Sequence, residues 1–134
     1  TMSGGYGFYF DNPNNFIGYI DGLDLSDPQN PATGEWNHVG LRATGGDISI
    51  FLDSYNASTK SDTIMTPNSN DFVIGARNGA DRYMDGGVDE VVFFKRGLSE
   101  EEIKAIYNRG RNGEEATNEI AEATDQGGAI LAVV

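Results

Sequence analysis

Four residues in one short polar segment carry the side chains that proteins use to hold a sugar. Asn78, Asp81, Arg82 and Tyr83 combine an amide, both signs of charge and an aromatic ring. The ring offers a face on which a pyranose can stack, and the polar groups match its hydroxyls. Residues 11–15 form a second polar loop of this kind. Asn, Asp and Gly are also ordinary turn residues, so the pattern indicates either a ligand-binding loop or plain turns.

The residues that could catalyse a reaction do not form a recognised arrangement. His38 is the only imidazole, no G-x-S-x-G segment accompanies it, and there is no Cys. Glycosidases need two carboxyl groups about 5–10 Å apart. Asp89 and Glu90 are neighbours on a predicted strand and point to opposite faces, whereas Asp85 and Asp89 would lie about 13 Å apart. We therefore predict a protein without enzymatic activity, and for His38 a structural role with a ring nitrogen bonded to a backbone carbonyl.

Length and charge exclude several classes of partner. The chain of 134 residues is long enough for one compact domain. It has 9 basic and 21 acidic residues and a formal net charge of −12, so nucleic-acid phosphates and anionic membranes would repel it. No apolar stretch approaches the roughly 20 residues of a membrane span. The lack of Cys also excludes disulfides and thiolate zinc sites.

Aromatic and β-branched runs separated by turn residues predict an antiparallel sheet protein. Residues 6–10 and 16–20 form a predicted hairpin, followed by a long surface loop over residues 21–35. Turns are predicted at residues 44–46 and 53–58. The remaining predicted strands are residues 36–43, 47–53, 59–65, 72–76 and 87–94. We place 59–65 at a sheet edge because it is polar, and 72–76 in the interior because it is apolar.

One helix is predicted over residues 100–109. Ser99 and Glu102 have the spacing of a capping box, in which each side chain accepts a hydrogen bond from the backbone N–H of the other residue. Gly110 is placed to end the helix. Three residues form the apolar stripe that docks the helix on a sheet: Ile103, Ile106 and Tyr107.

The segment after the helix differs in composition from the rest. Residues 113–126 are acidic and rich in Ala, and residues 129–134 are entirely apolar. We divide the chain into a β-sandwich over residues 1–111 and an acidic linker with an apolar tail over residues 112–134. Because apolar surface in water is unfavourable, we expect the tail to pack against other protein surface.

Five short motifs follow one another in an order that identifies a family resemblance. They are EWNHV at residues 35–39, ISIFLD at 48–53, FVIG at 72–75, MDGGVDEV at 84–91 and LSEEEI at 98–103. This succession resembles the laminin G-like, concanavalin A-like jelly roll, and it extends over residues 4–110. The resemblance implies an all-β, two-sheet antiparallel β-sandwich with one short C-terminal helix.

The resemblance also implies a metal and a difference in one turn. A structural calcium in this family often lies near the Asp of the strand that corresponds to Asp89, and calcium prefers carboxylate and carbonyl oxygens. The alternative is that Asp89 accepts backbone hydrogen bonds or pairs with Arg82 or Lys95. Ser54 stands where the family usually has Gly, so the turn type could differ here.

Members of this family carry further strands upstream of the position that corresponds to Tyr6. We expect these strands to be missing here, which would leave strand edges and an apolar face to be covered. A second chain, a neighbouring subunit or residues 129–134 could cover them, and we favour a multichain arrangement. Two functions follow from these expectations. The first is a recognition module outside the cell that binds carbohydrate or a protein surface. The second is a structural component of a virion decoration, spike or surface layer.

Overall fold

The computed structural model describes residues 5–11, 15–20, 22–27, 30–61, 69, 72–76, 83–112 and 128–133, the last of these as backbone. Eight strands and one helix lie within these ranges. In chain order they are β1 (Tyr6–Asp11), β2 (Asn15–Ile20), β3 (Leu23–Ser26), β4 (His38–Thr44), β5 (Asp47–Leu52), β6 (Tyr55–Lys60), β7 (Asp89–Phe94), α1 (Glu100–Arg111) and β8 (Gly128–Val133).

The strands form two antiparallel sheets that pack face to face. One sheet has the order β1-β2-β3, and the other has the order β6-β5-β4-β8-β7. Consecutive strands pair as hairpins in β1–β2, β2–β3, β4–β5 and β5–β6. The predicted all-β sandwich with one short helix is confirmed. The described part of the chain contains no helix with the length and apolarity of a membrane span.

The main core lies between the two sheets. Alternate residues of β5 face the smaller sheet, as the period of two along a strand requires. The fully buried members of this core, from four strands, are Phe16, Ile20, Leu25, Val39, Leu41, Ile48, Ile50 and Leu52. The sheets approach so closely at Gly18 that a Cβ atom there would overlap Cγ2 of Ile50.

The helix covers the opposite face of the larger sheet. Ile103 and Ile106 of α1 pack with Leu98 and with Phe51, whose side chain points away from the main core. The capping box predicted at Ser99 is present. The helix ends at Arg111, two residues beyond the predicted end at residue 109, and Asn112 supplies the C-cap. The prediction that Gly110 ends the helix is therefore wrong.

Arg42 connects the helix to the sheet. Its Nη1 donates a hydrogen bond of 3.0 Å to the backbone carbonyl of Leu98, just before α1. The guanidinium lies 4.9 Å from the centre of the Phe51 ring. Nη2 of Arg42 is also 4.0 Å from a carboxylate oxygen of Glu100. The helix is thus fixed to the sheet by polar contacts as well as by its apolar stripe.

Three predicted segments differ from the structure. Residues 23–26 form β3 inside the predicted surface loop, because Leu25 is buried while its polar neighbours are exposed. The predicted strand over residues 59–65 begins earlier, at Tyr55, since a two-residue turn at Asp53 and Ser54 replaces the longer one. It does lie at a sheet edge. Residues 72–76 form no strand and expose their apolar side chains, so the prediction of a buried strand is wrong.

The apolar tail forms a strand of the larger sheet. β8 lies between β4 and β7 and pairs antiparallel with both. The predicted strand over residues 87–94 is observed as β7, at Asp89–Phe94. The structure shows what each face of this strand packs against. Val91 packs against the core between the sheets, whereas Phe94 packs against the helix cluster.

Candidate ligand-binding surface

One of the four predicted sugar-binding residues lies in the described part of the chain. Tyr83 is 71% exposed. Asn78, Asp81 and Arg82 lie outside the described residues. Their grouping with Tyr83 in a binding loop stays a prediction, and only the environment of Tyr83 can be described.

Tyr83 belongs to a larger group of exposed apolar side chains near β7. We call this group the apolar face. Its members are Trp36, Phe72, Val73, Ile74, Tyr83 and Phe93. Trp36, the only tryptophan of the chain, is 62% exposed. Exposed apolar side chains mark a binding site where they form a contiguous patch.

Three contacts show what members of the apolar face and their neighbours lie against. The rings of Phe72 and Phe93 meet edge to face with their centres 4.6 Å apart. The N–H of Met84 donates a 2.8 Å hydrogen bond to the carbonyl of Gly75, which joins the segments that carry Phe72 and Tyr83. A Cβ atom on Gly87 would lie 2.9 Å from Cη2 of Trp36. The indole therefore lies directly on this glycine, two residues before β7.

Exposed carboxylates follow or precede these aromatic residues in the sequence. Glu35 precedes Trp36, Asp85 lies two residues after Tyr83, and Asp89 begins β7. All three are exposed. Aromatic faces with adjacent hydrogen-bond acceptors can bind a ligand that has apolar C–H faces and hydroxyl donors.

Asp89 lies at an irregularity of β7 and not in a metal cluster. Its Oδ1 accepts a 2.8 Å hydrogen bond from the N–H of Glu90. The pairing of β7 with β8 shifts register between Asp89 and Val92, and Glu90 has φ of 48°. No three acidic or histidine side chains within the described ranges are grouped to hold a metal ion. These residues alone do not supply a calcium site, so calcium at Asp89 stays a prediction.

His38 is buried beneath the helix. Its ring centre lies 5.8 Å from that of Tyr107. Neither ring nitrogen has a hydrogen-bond partner among the described residues, so the predicted bond to a backbone carbonyl is wrong. Burial lowers the pKa of His38 to about 4, an effect that the nearby Asp53 carboxylate partly offsets. The ring is neutral at pH 7 and has a packing role.

A second buried polar group was not identified from the sequence. The carboxylate of Asp27 is buried and accepts hydrogen bonds of 2.9 and 3.2 Å from the hydroxyl of Tyr55. Burial, followed by this bond to Asp27, raises the pKa of Tyr55. The pair connects the end of β3 to the start of β6, and so fixes one sheet against the other. Its residues are 28 positions apart, and no local sequence pattern indicates such a contact.

Comparison with known protein families identifies the superfamily of the chain. A laminin G family model, described as the concanavalin A-like lectin/glucanases superfamily, matches residues 1–104. The chain belongs to this superfamily. This family match confirms the resemblance indicated by the five motifs. The two antiparallel sheets agree with it. Comparison with curated protein sequences yields no match.

One solved structure has a similar fold. It is a 2.1 Å crystal structure of residues 221–444 of an S-layer domain-containing protein from Clostridium thermocellum. The TM-score is 0.52 at 19% sequence identity, and the match covers 80% of this chain. At this identity the likeness concerns the fold alone. The chain spans 64% of the length of that structure.

Proposed function

We propose that the chain is a non-enzymatic recognition module that acts outside the cell and binds carbohydrate on the apolar face. The observation that carries this proposal is the exposure of Trp36 and Tyr83, at 62% and 71%. Removing the surface of a large aromatic side chain from water is energetically favourable. The exposure of two such side chains supports a ligand that covers them.

Carbohydrate fits the chemistry of this face. The axial C–H face of a pyranose is apolar and stacks on an aromatic ring, while its hydroxyls need acceptors. Glu35 and Asp85 offer exposed carboxylate acceptors close in sequence to the two rings. The net charge of −12 disfavours anionic glycans, so neutral sugars are the expected class.

The only tryptophan gives a direct test. We expect a neutral glycan from a diverse panel to change the fluorescence of Trp36 in a saturable way. Trp36→Ala should lower the affinity by about tenfold or more, because loss of a stacking side chain costs about 1–3 kcal/mol. Binding by this variant is measured by calorimetry.

Tyr6→Ala is the matched control, since Tyr6 is an exposed aromatic residue on β1 in the other sheet. It should leave the affinity unchanged. The titrations are run with calcium and with a chelator, and with Asp89→Asn, to test the predicted metal. Lack of binding to every glycan by folded protein contradicts the proposal, as does equal binding by the Trp36→Ala variant.

A second function is favoured by the structural comparison. The chain would be a structural component of a surface layer, or of a virion decoration or spike, in which a second chain completes the sandwich. The similar fold of an S-layer domain-containing protein supports this function. The unequal sheets, with three and five described strands, also support it, because a partner chain could extend the smaller one.

Native mass spectrometry of the protein isolated from its source tests this second function. A defined multimer or a complex with another polypeptide is expected. A folded species with the mass of one chain, at every concentration tested, contradicts it. Glycan binding is measured on the same sample, so the two functions succeed or fail separately.

A further inference from the structure

Trp36 is exposed, but the loop that carries it is closed by the buried side chain of Asn37. Asn37 is 7% exposed. Its Oδ1 accepts a 3.1 Å hydrogen bond from the N–H of Ala32, and its Nδ2 donates two bonds of 3.0 Å, to the carbonyls of Ala32 and Glu35. Because a buried amide is costly to leave unpaired, these three bonds hold the backbone of the loop in one conformation.

The strand that follows fixes the other end of this loop. The N–H of His38 donates a 3.0 Å hydrogen bond to Oδ1 of Asp53, and the carbonyl of His38 accepts a 2.8 Å bond from the N–H of Asp53. His38 begins β4, which is paired on both sides in the larger sheet. Trp36 lies two residues before this strand, so its backbone has little freedom to move relative to the sheet.

Gly87 limits the side chain of Trp36 at its far end. A Cβ atom on Gly87 would lie 2.9 Å from Cη2 of Trp36 and 3.7 Å from both Cζ2 and Cζ3. The ring therefore meets Gly87 with its tip and with neither face. The φ of Gly87 is not in the left-handed region, so its backbone conformation is open to other residues. What this position requires is the absence of a side chain.

We propose that Asn37 and Gly87 are positioning residues, which hold the indole of Trp36 in one exposed orientation before a ligand binds. Asn37 fixes the backbone next to Trp36, and Gly87 fixes the place of the ring tip. A ligand that stacks on a ring already held in place loses less side-chain entropy on binding. The identity of the ligand rests on the proposed carbohydrate function, whereas the support of the ring does not.

The contact with Gly87 also determines which acceptors lie near the ring. Asp85 and Asp89 stand two residues before and two residues after Gly87, and both are exposed. Since consecutive Cα atoms are about 3.8 Å apart, the Cα atoms of both residues lie within about 8 Å of that of Gly87. A sugar stacked on Trp36 can therefore offer hydroxyls to these carboxylates. A ring that moved freely would not keep this placement.

The fluorescence of Trp36, the only tryptophan, tests the proposal without any ligand. Time-resolved anisotropy separates the tumbling of the whole protein from local motion of the indole, which in an unsupported exposed side chain takes picoseconds to nanoseconds. The wild-type ring should move with the protein. Asn37→Ala and Gly87→Ala should each raise the amplitude of the fast local motion roughly twofold or more.

Gly86→Ala is the matched control for Gly87→Ala. Both glycines are exposed and adjacent, but a Cβ atom on Gly86 would meet only Cε of Met84, at 3.4 Å, and no atom of Trp36. The anisotropy of the control should equal that of the wild-type protein. Gly87→Ala should remain folded, because the atom that its Cβ displaces is the far end of a side chain; circular dichroism verifies this.

Asn56→Ala is the matched control for Asn37→Ala. It removes an amide that hydrogen-bonds to Thr59 on β6, away from the loop of Trp36. This control should leave the anisotropy unchanged. Where Asn37→Ala fails to fold, Asn37→Asp takes its place, because it keeps the acceptor for the N–H of Ala32 and removes the two donors.

Affinity for a neutral glycan, measured by calorimetry, gives the second readout. Gly87→Ala should weaken binding about threefold to tenfold, the cost of immobilising one side chain, and Gly86→Ala by less than about twofold. Unchanged anisotropy in the Asn37 and Gly87 variants overturns the proposal, as does an equal loss of affinity in Gly86→Ala. If the wild-type protein binds no glycan, the carbohydrate function fails, while the anisotropy still decides whether the two residues hold the ring.

Discussion

At the scale of single residues, Gly18 sets the distance between the two sheets. Any side chain at this position would overlap Ile50 of the opposite sheet. Gly18→Ala should lower the free energy of unfolding by about 2 kcal/mol, because an overpacked core must shift its backbone or rotamers. Gly7→Ala is the matched control on neighbouring β1, where a Cβ atom would meet nothing within 4 Å. Equal effects of the two variants in urea denaturation would contradict this account.

His38 makes stability depend on pH in mild acid. Its folded pKa is about 4, compared with an ordinary value of 6.5, because burial disfavours the imidazolium. The unfolded chain therefore binds a proton between these values that the folded chain does not. The stabilisation of the folded state by the neutral His38 ring is complete above pH 6.5 and is lost as the pH falls towards 4. We expect the free energy of unfolding to be about 2 kcal/mol lower at pH 5 than at pH 7.5.

His38→Phe provides the control for this pH dependence. Phenylalanine retains an aromatic ring next to Tyr107 and cannot take up a proton. Urea denaturation of this variant should show a much smaller slope of stability between pH 7.5 and 5. An unchanged slope would mean that groups other than His38 titrate in this range.

At the scale of elements, the turn between β5 and β6 contains a residue in an unfavourable conformation. Asp53 and Ser54 have φ of 47° and 75°, the left-handed values of a tight hairpin turn. Ser54→Gly should stabilise the protein by about 1 kcal/mol, because glycine adopts this region without strain. Ser58→Gly, within strand β6, should instead destabilise it. Thermal unfolding monitored by circular dichroism measures both, and a lower melting temperature for Ser54→Gly would contradict the assignment.

The N-terminus of α1 depends on Glu102. This carboxylate accepts hydrogen bonds from two nitrogens of buried Arg96, at 2.8 and 2.6 Å, and from the N–H of Ser99. The bond from Arg96 lowers the pKa of Glu102, so its contribution is present above about pH 4.3 and is lost as the pH falls further. Glu102→Ala should destabilise the fold by about 2–3 kcal/mol, since it removes a cap and the carboxylate that binds two nitrogens of a buried guanidinium.

Glu101→Ala is the matched control for Glu102. It removes an acidic residue from the same helical turn, together with its side-chain hydrogen bond to Ser99, and leaves the two capping-box hydrogen bonds and the contacts of Arg96 in place. Chemical denaturation should show little change for this variant. If both variants lose the same stability, the helix depends on its overall charge and not on the Glu102 contacts.

At the scale of the whole molecule, the sequence predicts the fold well where its signals are local. The capping box at Ser99 and the alternation of β5 depend on neighbouring residues, and both appear in the structure. The strand at 72–76 was predicted in the interior because exposed and buried apolar runs have the same composition. The observed exposure of Phe72 and Ile74, 58% and 53%, separates the two cases, and it depends on which distant segments lie against this run.

The candidate site was predicted less completely than the fold. Tyr83 is exposed, and its part in ligand binding stays a prediction. Trp36 was assigned to a strand, although it precedes β4 and lies exposed on Gly87. Placing it requires the contact between two segments that are about 50 residues apart, and neither segment carries a pattern that identifies the other.

The central position of β8 also affects the order in which the chain folds. Pairing of His38 with Val133 closes a loop of about 95 residues, which is a slow step compared with hairpin formation. During synthesis, β4 and β5 leave the ribosome before residues 128–133 are made. At about 5–20 residues per second, the inner edge of β4 stays open for roughly 5–20 s. In that interval this edge can pair with other extended chains, which exposes the nascent chain to mispairing until residues 128–133 are made.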